Sequence, residues 1–242
     1  CMERIVYLYL IPLVCVPGVV TAALSCTVFL RMRRTSLDVL LCGLSLFDVL
    51  VLACSLLIYP PMTACLQEEI RNHNASYDAF VCKFFWRTTL VTYPVSLIAQ
   101  VGSVWMCVAV TVDRFMAVSF PMRRISICTP ANAAAAVAAI TLFSILYKLP
   151  AAFEVTLDVN GKMTQTSLNE NEFYIAITKV YGYILVLVMI PWTTIIVLNV
   201  IIIRKIRKAY NLRSTLTNSR VRSERREEAE RRMTIMSVVV AT

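Results

Sequence analysis

The chain has 242 residues, of which 58% are hydrophobic and 16% are charged, and its mean hydropathy is +0.69. So apolar a composition argues against a soluble domain and favours a helical membrane protein. The formal net charge is +9, and the positive residues concentrate in a few segments between apolar runs.

Several apolar runs are long enough to cross a bilayer, whose hydrocarbon core of about 30 Å requires about 20 helical residues. We expect these spans at about residues 5–30, 37–61, 89–118, 131–149 and 173–203. A further run, 233–242, is apolar but covers only about half of the core. The first run is long enough to span, so it is not read as a removable signal peptide. The sequence therefore predicts an all-α transmembrane fold in a single domain over residues 1–242.

The second span carries a carboxylate in its middle. Asp48 lies among apolar residues, and an ionisable side chain at membrane depth is energetically costly and usually functional. The segment that follows, Cys65–Cys82, is polar and is expected to form a loop. It contains an N-glycosylation sequence at Asn74.

The third span ends in a charged motif. Its apolar run from Ser103 leads into Asp113-Arg114-Phe115, and Pro121 follows. An unpaired charge in hydrocarbon costs at least ~2.5–3.5 kcal/mol, so two adjacent opposite charges at this edge indicate a paired, functional site. A solvated salt bridge on a surface helix is the simpler alternative.

The fourth span has a recognisable start. Thr129 precedes Pro130, an arrangement typical of a helix N-terminus with a capping hydroxyl and a proline in the first turn. Ala133–Ala136 give this helix a thin face that suits close packing. The polar stretch that follows, Pro150–Asn171, is expected to be a loop.

Most of the 24 lysines and arginines lie on one side of this predicted topology. They cluster at Arg31–Arg34, at Arg114–Arg124 and above all in the basic segment 204–232. The positive-inside rule therefore places the N-terminus and Asn74 outside the cell and the basic segment in the cytosol. Beside five spans, we expect this segment to contact anionic lipid or a cytosolic protein rather than nucleic acid.

With its flanks, the spacing D-R-F-x-x-x-x-x-P resembles the end of the third helix of rhodopsin-like G-protein-coupled receptors. The resemblance implies a seven-helix receptor of the plasma membrane, of which this sequence would supply helices one to five and the start of helix six. It also implies that Asp113 pairs with Arg114 at rest and that Arg114 meets a heterotrimeric G protein on activation. The switch region would comprise Asp113, Arg114, Phe115, Pro121 and Met122.

The second span adds to the resemblance. Leu44–Asp48, L-S-L-F-D, is similar to the family's L-A-x-x-D, which would make Asp48 the sodium-binding aspartate. Ser103 matches the family's third-helix sodium ligand, although its hydroxyl could instead bond to the backbone of its own helix. A sodium ion is the only cofactor that the resemblance implies.

A narrower resemblance, to invertebrate FMRFamide-type neuropeptide receptors, depends on several fragments in matching order and spacing. They are Tyr93–Trp105 in the third span, Leu146–Glu154 at the top of the fourth, Leu198-Asn199 after Pro191 in the fifth, and Glu230–Met236. This resemblance implies an extracellular peptide ligand that ends in an arginine and an amidated phenylalanine.

The same resemblance implies a peptide pocket near the outer ends of the helices. An arginine on the ligand favours a carboxylate partner, bidentate where the geometry allows it. Glu154 is the candidate by family position and Glu172 is a less specific one; a solvated loop acid is the alternative for Glu154. Tyr93, Leu97 and Gln100 follow one another at about one-turn spacing on one side of the third helix and complete the predicted pocket.

Several features depart from the family pattern. Ala22 stands at the family's first-helix asparagine, the fourth-helix tryptophan is absent, and Thr89 stands at the third-helix cysteine. Cys82 lies too far out for a single span, so we expect it in the loop or on a projecting helical turn. The second outer loop has no cysteine to pair with it, so Cys82 is expected to stay free or to pair with Cys65 or Cys1.

Other classes of function fit less well. An enzyme is not expected, because the single histidine, His73, lies in a polar segment and the sequence has no phosphate loop, zinc-ligand spacing or nucleophile elbow. A small helical transporter is the alternative class, and it would be expected to show inverted repeats, broken helices or several charges along a pore. The sequence shows no repeat, and Asp48 is the only charge in the middle of a predicted span. The sequence stops within the predicted sixth span, before the family's seventh-helix N-P-x-x-Y, so a non-signalling product of a truncated gene is a further alternative.

Overall fold

The computed structural model describes residues 6–31, 35–71, 76–157, 163–166 and 172–212. The helices are α1 (Val6–Arg31), α2 (Ser36–Arg71), α3 (Ser76–Ser119), the short α4 (Pro121–Ile127), α5 (Pro130–Lys148) and α6 (172–212). Between α5 and α6 lie a 3₁₀ helix, Leu149–Phe153, and an antiparallel hairpin of β1 (Val155–Leu157) and β2 (Met163–Gln165).

Among the described residues, 5 helices (α1, α2, α3, α5 and α6) are long and apolar enough to cross a membrane, as the sequence predicts. Their helical ends lie further out than the predicted spans in several places, with α2 continuing to Arg71, α3 beginning at Ser76 and α6 reaching Leu212. Many large apolar side chains on these helices remain exposed, which is the surface expected of helices that face lipid.

The segment Cys65–Cys82 is helical at both ends, so its prediction as a loop is wrong. Because α2 continues to Arg71 and α3 begins at Ser76, Cys82 lies on the first turns of α3, as the projecting-turn alternative requires. Gln, Glu, Leu and Arg fill the last turns of α2, and these residues have high intrinsic helix propensity. Asn74 and Cys1 lie outside the described residues.

The stretch Pro150–Asn171 is also more ordered than the loop predicted for it. Val155 pairs with Gln165 and Leu157 pairs with Met163 in an antiparallel register. Val-Thr-Leu and Met-Thr-Gln are compatible with strands, and the sequence between them contains Asn-Gly, the strongest short-range hairpin signal. This signal would have predicted the hairpin. The hairpin holds the backbone of Glu154, the residue just before β1.

The core lies where α2, α3 and α5 meet. It is formed by Leu40 and Phe47 of α2, Ala99 and Met106 of α3, and Ala133 of α5. All of these side chains are buried. Ala133 lies at the start of the predicted small-residue face of α5, and its burial lets the helix approach the α2–α3 pair closely.

The start of α5 confirms the capping prediction. Thr129 is extended, and its hydroxyl accepts a hydrogen bond from the backbone N–H of Asn132 at 3.3 Å. Pro130 occupies the first turn, where its missing N–H has no cost. The chain thus turns from α4 into α5 at Thr129, close to the charged end of α3.

Candidate functional site

The two residues predicted to hold sodium meet in the middle of the α2–α3 interface. Ser103 Oγ donates a hydrogen bond to Asp48 Oδ1 at 2.6 Å, so the backbone alternative for this hydroxyl is wrong. The neighbouring residues explain the approach, because a Cβ added to Gly102 would lie 2.6 Å from Phe47 Cδ1. Glycine therefore lets the Phe47 ring pack on the backbone of α3 and places Ser103 beside Asp48.

A carboxylate and a hydroxyl oxygen are ligands that suit a hard cation. Asp48 and Ser103 supply such a pair inside an apolar interface. The described part of the chain contains no group of three or more His, Cys, Asp and Glu side chains that could hold a metal ion. The predicted sodium site therefore consists of these two side-chain oxygens. Binding of sodium at this pair stays a prediction.

One end of the helix bundle, called here the Asp113 end, is organised by a buried carboxylate. Asp113 is 6% exposed, and Ser36 Oγ at the start of α2 donates to its Oδ1 at 2.8 Å. Asp38 caps the same start of α2 by accepting from the backbone N–H and hydroxyl of Thr35 at 3.0 and 2.8 Å. Burial and the negative charge of Asp113 raise the pKa of the Cys128 thiol, which lies in the connection between α4 and α5.

The structure does not show the resting pair that the resemblance implies between Asp113 and Arg114. No ion pair joins these two side chains in the described ranges, and Arg114 is exposed. Adjacent residues on a helix point in different directions, so Asp113 faces Ser36 while Arg114 faces outward. Arg114 instead lies within electrostatic range of Asp38.

The third member of the motif, Phe115, packs against one aromatic ring and lies near a lysine. The rings of Phe115 and Phe120 meet edge to face with centroids 6.1 Å apart. Lys205 of α6 places its ammonium nitrogen 5.8 Å from the first ring centroid and 5.2 Å from the second. Pro121 begins α4, and Met122 beside it is 84% exposed, so the predicted switch residues gather at one end of the bundle.

At the opposite end of the bundle, called here the Glu154 end, a second carboxylate is buried. Glu154 is 3% exposed, which rules out the solvated loop acid considered from the sequence. Tyr174 donates a hydrogen bond to its Oε1 at 2.9 Å, and Lys179 Nζ lies 3.0 Å from its Oε2. The hairpin holds the backbone in place, since Thr166 N–H donates to the Glu154 carbonyl at 2.9 Å.

Tyr174 precedes the spanning part of α6, Ile175–Leu212. Burial, the hydrogen bond to Glu154 and the negative charge of that carboxylate together raise the pKa of Tyr174 to about 12. Its phenol therefore stays protonated at physiological pH and remains a donor to Glu154.

Tyrosines from three helices lie around the same end. Tyr93 of α3 and Glu154 are close enough to interact electrostatically, as are Tyr93 and Tyr59 of α2. Tyr7 of α1 stacks on Tyr59 with ring centroids 5.8 Å apart. Tyr93 and Glu154 therefore lie at the same end of the bundle.

The two remaining pocket residues lie deeper on α3. Leu97 is about one turn and Gln100 about two turns from Tyr93 towards the middle of the bundle, and both are half-buried. The residues predicted for the pocket therefore form a descending row on α3, with Glu154 at its upper end. Glu172 lies at the start of α6, and the structure describes its backbone but not its side chain.

A disulfide joins α2 and α3 beyond the apolar spans. Cys65 and Cys82 are bonded, with their Cα atoms 5.6 Å apart, inside the range that a disulfide requires. Of the alternatives left by the sequence, the pairing with Cys65 is the one present. The bond fastens the helices on the side of the bundle that carries Glu154.

Comparison with known sequences settles the family. Residues 19–242 match the profile of the family described as 7 transmembrane receptor (rhodopsin family). The chain belongs to the rhodopsin family of seven-transmembrane receptors. This membership confirms the predicted receptor fold and a multi-pass membrane protein.

Two curated relatives of this receptor chain carry names that concern FMRFamide. It is 29% identical over 241 residues to the FMRFamide receptor of Drosophila melanogaster, an alignment that covers 96% of this chain and 42% of that protein. It is 32% identical over 139 residues to the FMRFamide peptide receptor frpr-18 of Caenorhabditis elegans, covering 57% of this chain and 30% of that protein. The chain therefore spans less than half of the length of the relatives it matches.

Some residues of this receptor's site were missed from the sequence. Ser36 gave no signal, because a serine at a helix start is usually read as a cap. Lys179 and Lys205 lie near the two ends of the fifth apolar run, where the sequence shows only their contribution to the charge asymmetry. A charged residue in a span usually has a partner, but the sequence does not show which one. Tyr174 reads as an interfacial tyrosine and shows its role only through its distance to Glu154.

Proposed function

We propose that this receptor binds an extracellular FMRFamide-like neuropeptide and signals through a heterotrimeric G protein. The observation that carries the proposal is the buried carboxylate of Glu154 beside Tyr93 at one end of the helices. A buried carboxylate needs a cationic partner, and an arginine in the ligand can supply one with two hydrogen bonds. The names of the two relatives support the same ligand class.

The ligand's second feature, an amidated phenylalanine, has suitable neighbours at the same end. Tyr93 lies within electrostatic range of both Glu154 and Tyr59, so aromatic rings are available at this end, and Leu97 and Gln100 lie below Tyr93 on α3. Aromatic rings pair with one another beyond simple area burial, and Gln100 has an amide that can bond to the terminal amide of the peptide. The arginine would lie at Glu154 and the phenylalanine ring deeper.

The orientation follows from charge. With the basic segment 204–232 in the cytosol, the N-terminus and the Glu154 end face outward and the Asp113 end faces inward. Asn74 then lies on the outer side, where the sequon can carry a glycan. The protein would act in the plasma membrane, where a neuropeptide can reach the Glu154 end.

Signalling is proposed to occur by helix movement at the Asp113 end. The Ser36 hydroxyl holds Asp113 against α2 at 2.8 Å, and the exposed Arg114 is available to a G protein. Exposed apolar side chains of α4, Met122 and Ile125, offer a second contact beside it. A sodium ion at Asp48 and Ser103 would favour the resting arrangement, because it bridges α2 and α3.

The test is a dose–response measurement in cells that express the complete open reading frame encoding these residues. The wild-type protein should respond to amidated peptides that end in Arg-Phe and not to their free-acid forms. Glu154→Gln should weaken the response about 30-fold or more, since it removes one member of a charged pair. Tyr174→Phe keeps the carboxylate and should have a much smaller effect.

Two results would contradict the proposal. One is the absence of any response of the wild-type protein across a panel of Arg-Phe-amide peptides, with surface expression verified by antibody labelling. The other is an unchanged response in Glu154→Gln, which would show that this carboxylate does not receive the ligand.

A further inference from the structure

A lysine of the protein already occupies the carboxylate proposed for the ligand. Lys179 Nζ lies 3.0 Å from Glu154 Oε2, while Tyr174 donates to Oε1. The Glu154 side chain is 4% exposed, whereas that of Lys179 is 36% exposed. The lysine is therefore the more exposed member of the pair.

We infer that Lys179 is a built-in competitor of the ligand: a cationic group of the peptide binds Glu154 by displacing the Lys179 ammonium group. The inference rests on the proposed function, since it concerns the same site. A buried carboxylate without a partner is strongly disfavoured. Glu154 is thus paired with Lys179 in the free protein and with the ligand in the complex.

The exchange favours a guanidinium group over the ammonium group that it replaces. Lys179 contacts one carboxylate oxygen, whereas a guanidinium group can bind both oxygens in parallel. Each carboxylate oxygen accepts more than one hydrogen bond, so Tyr174 can keep its bond to Oε1 in the complex. The Lys179 side chain is 36% exposed, so its ammonium group has room to move away from the carboxylate.

A second lysine adds to the positive charge at this site. Lys148 at the end of α5 interacts electrostatically with both Glu154 and Lys179, and its nitrogen lies 5.0 Å from the centroid of the Tyr147 ring. No ion pair between Lys148 and Glu154 occurs in the described residues. Lys148 therefore shares the charge environment of Lys179 without its contact, which makes it a matched control.

The expected size of the effect follows from linkage. A ligand that binds only when Glu154 is released has its apparent Kd raised in inverse proportion to the released fraction. Because Lys179 is partly exposed, water and salt weaken its hold on the carboxylate. We expect removal of Lys179 to tighten the binding of a cationic peptide about three- to tenfold.

The experiment measures competition binding of two peptides on membranes from cells that express the complete open reading frame. The peptides are amidated Phe-Met-Arg-Phe and its citrulline analogue, which has nearly the same shape but no charge. Lys179→Met should tighten the arginine peptide about three- to tenfold and leave the citrulline peptide unchanged. Lys148→Met should change the arginine peptide by less than Lys179→Met does.

A second measurement uses the wild-type protein and does not depend on the folding of a variant. Amine-selective labelling, read by mass spectrometry, should report more reaction at Lys179 when the arginine peptide is bound, because displacement frees the amine. A ligand that merely lies near Lys179 would shield it and lower the labelling.

The outcomes distinguish this inference from the proposed function on which it rests. In one outcome the wild-type protein binds the peptide and Glu154→Gln weakens the binding, but Lys179→Met does not tighten it and the labelling of Lys179 falls. This outcome would overturn the inference about Lys179 and leave the proposed function intact. A wild-type protein that binds no Arg-Phe-amide peptide would overturn both.

Discussion

The close contact between Gly102 and Phe47 makes a sharp prediction for the substitution Gly102→Ala. The added methyl group would lie 2.6 Å from Phe47 Cδ1, against an ordinary carbon–carbon contact of about 3.5–4.0 Å. The Phe47 ring would have to move by about 1 Å, although it is buried in the core between α2, α3 and α5. Either the ring or α3 must therefore shift.

Two opposing contributions set the change in the free energy of unfolding that Gly102→Ala should cause. Overpacking of a well-packed core costs typically about 1–3 kcal/mol, and a rigid buried ring belongs at the upper end of this range. Replacement of glycine by alanine inside a helix returns roughly 1 kcal/mol through helix propensity. The net expectation is a loss of about 2 kcal/mol, which corresponds to a fall in Tm of about 4–8 °C for a chain of this size.

The assay is thermal unfolding of detergent-purified protein followed with a thiol-reactive fluorescent dye, since Cys15 and Cys54 are buried and free. Gly18→Ala is the matched control, because the added methyl group would meet only the end of the Leu52 side chain at 2.9 Å. The Tm of this control should stay level or rise slightly. A Tm of Gly102→Ala at or above that of the parent would refute the packing argument.

The remaining predictions concern the sodium pair, the Asp113 end, the disulfide and the orientation. Ser103→Ala should abolish any dependence of peptide affinity on sodium concentration; retained dependence would remove the pair from the sodium site. Asp113→Asn should raise basal signalling in a reporter assay, because it weakens the bond that Ser36 donates to the carboxylate; equal basal activity would count against this contact as a restraint on signalling. Peptide mapping without reduction should recover the Cys65–Cys82 bridge, whose loss in Cys82→Ser should cost about 3 kcal/mol of stability; a free Cys82 would contradict the pairing. Asn74→Gln should remove a glycan-dependent gel shift, and an unchanged shift would contradict the orientation.

The membrane-spanning helices could be predicted from the sequence because each apolar run is about as long as the bilayer requires, or longer. Their ends could not, because helices continue past the hydrocarbon core wherever the residues have helix propensity and find partners. The last turns of α2 and the first of α3 are examples, since polar residues and Cys65–Cys82 continue both helices outward. Hydropathy reports where lipid ends, not where the helix ends.

Some residues of the site could be predicted from the sequence, whereas their long-range partners could not. Asp48 and Ser103 are predicted as a pair because each matches a family motif, and their side chains meet at 2.6 Å. Glu154 was predicted as a candidate, but its partner Lys179 lies beyond a hairpin in another helix, and only the fold shows that the two meet. The partner of Asp113 likewise comes from Ser36, far away in sequence. Long-range polar contacts of this kind have no periodic signal.

The contacts between α2 and α3 have a mechanical consequence. A covalent bond at Cys65–Cys82 holds one end, Ser103 and Asp48 meet in the middle, and Ser36 and Asp113 meet at the other end. Two rods fastened at three points along their length resist both sliding and splaying. These contacts therefore make α2 and α3 a stiff pair, to which the other helices of the bundle are attached less firmly in the described part of the chain.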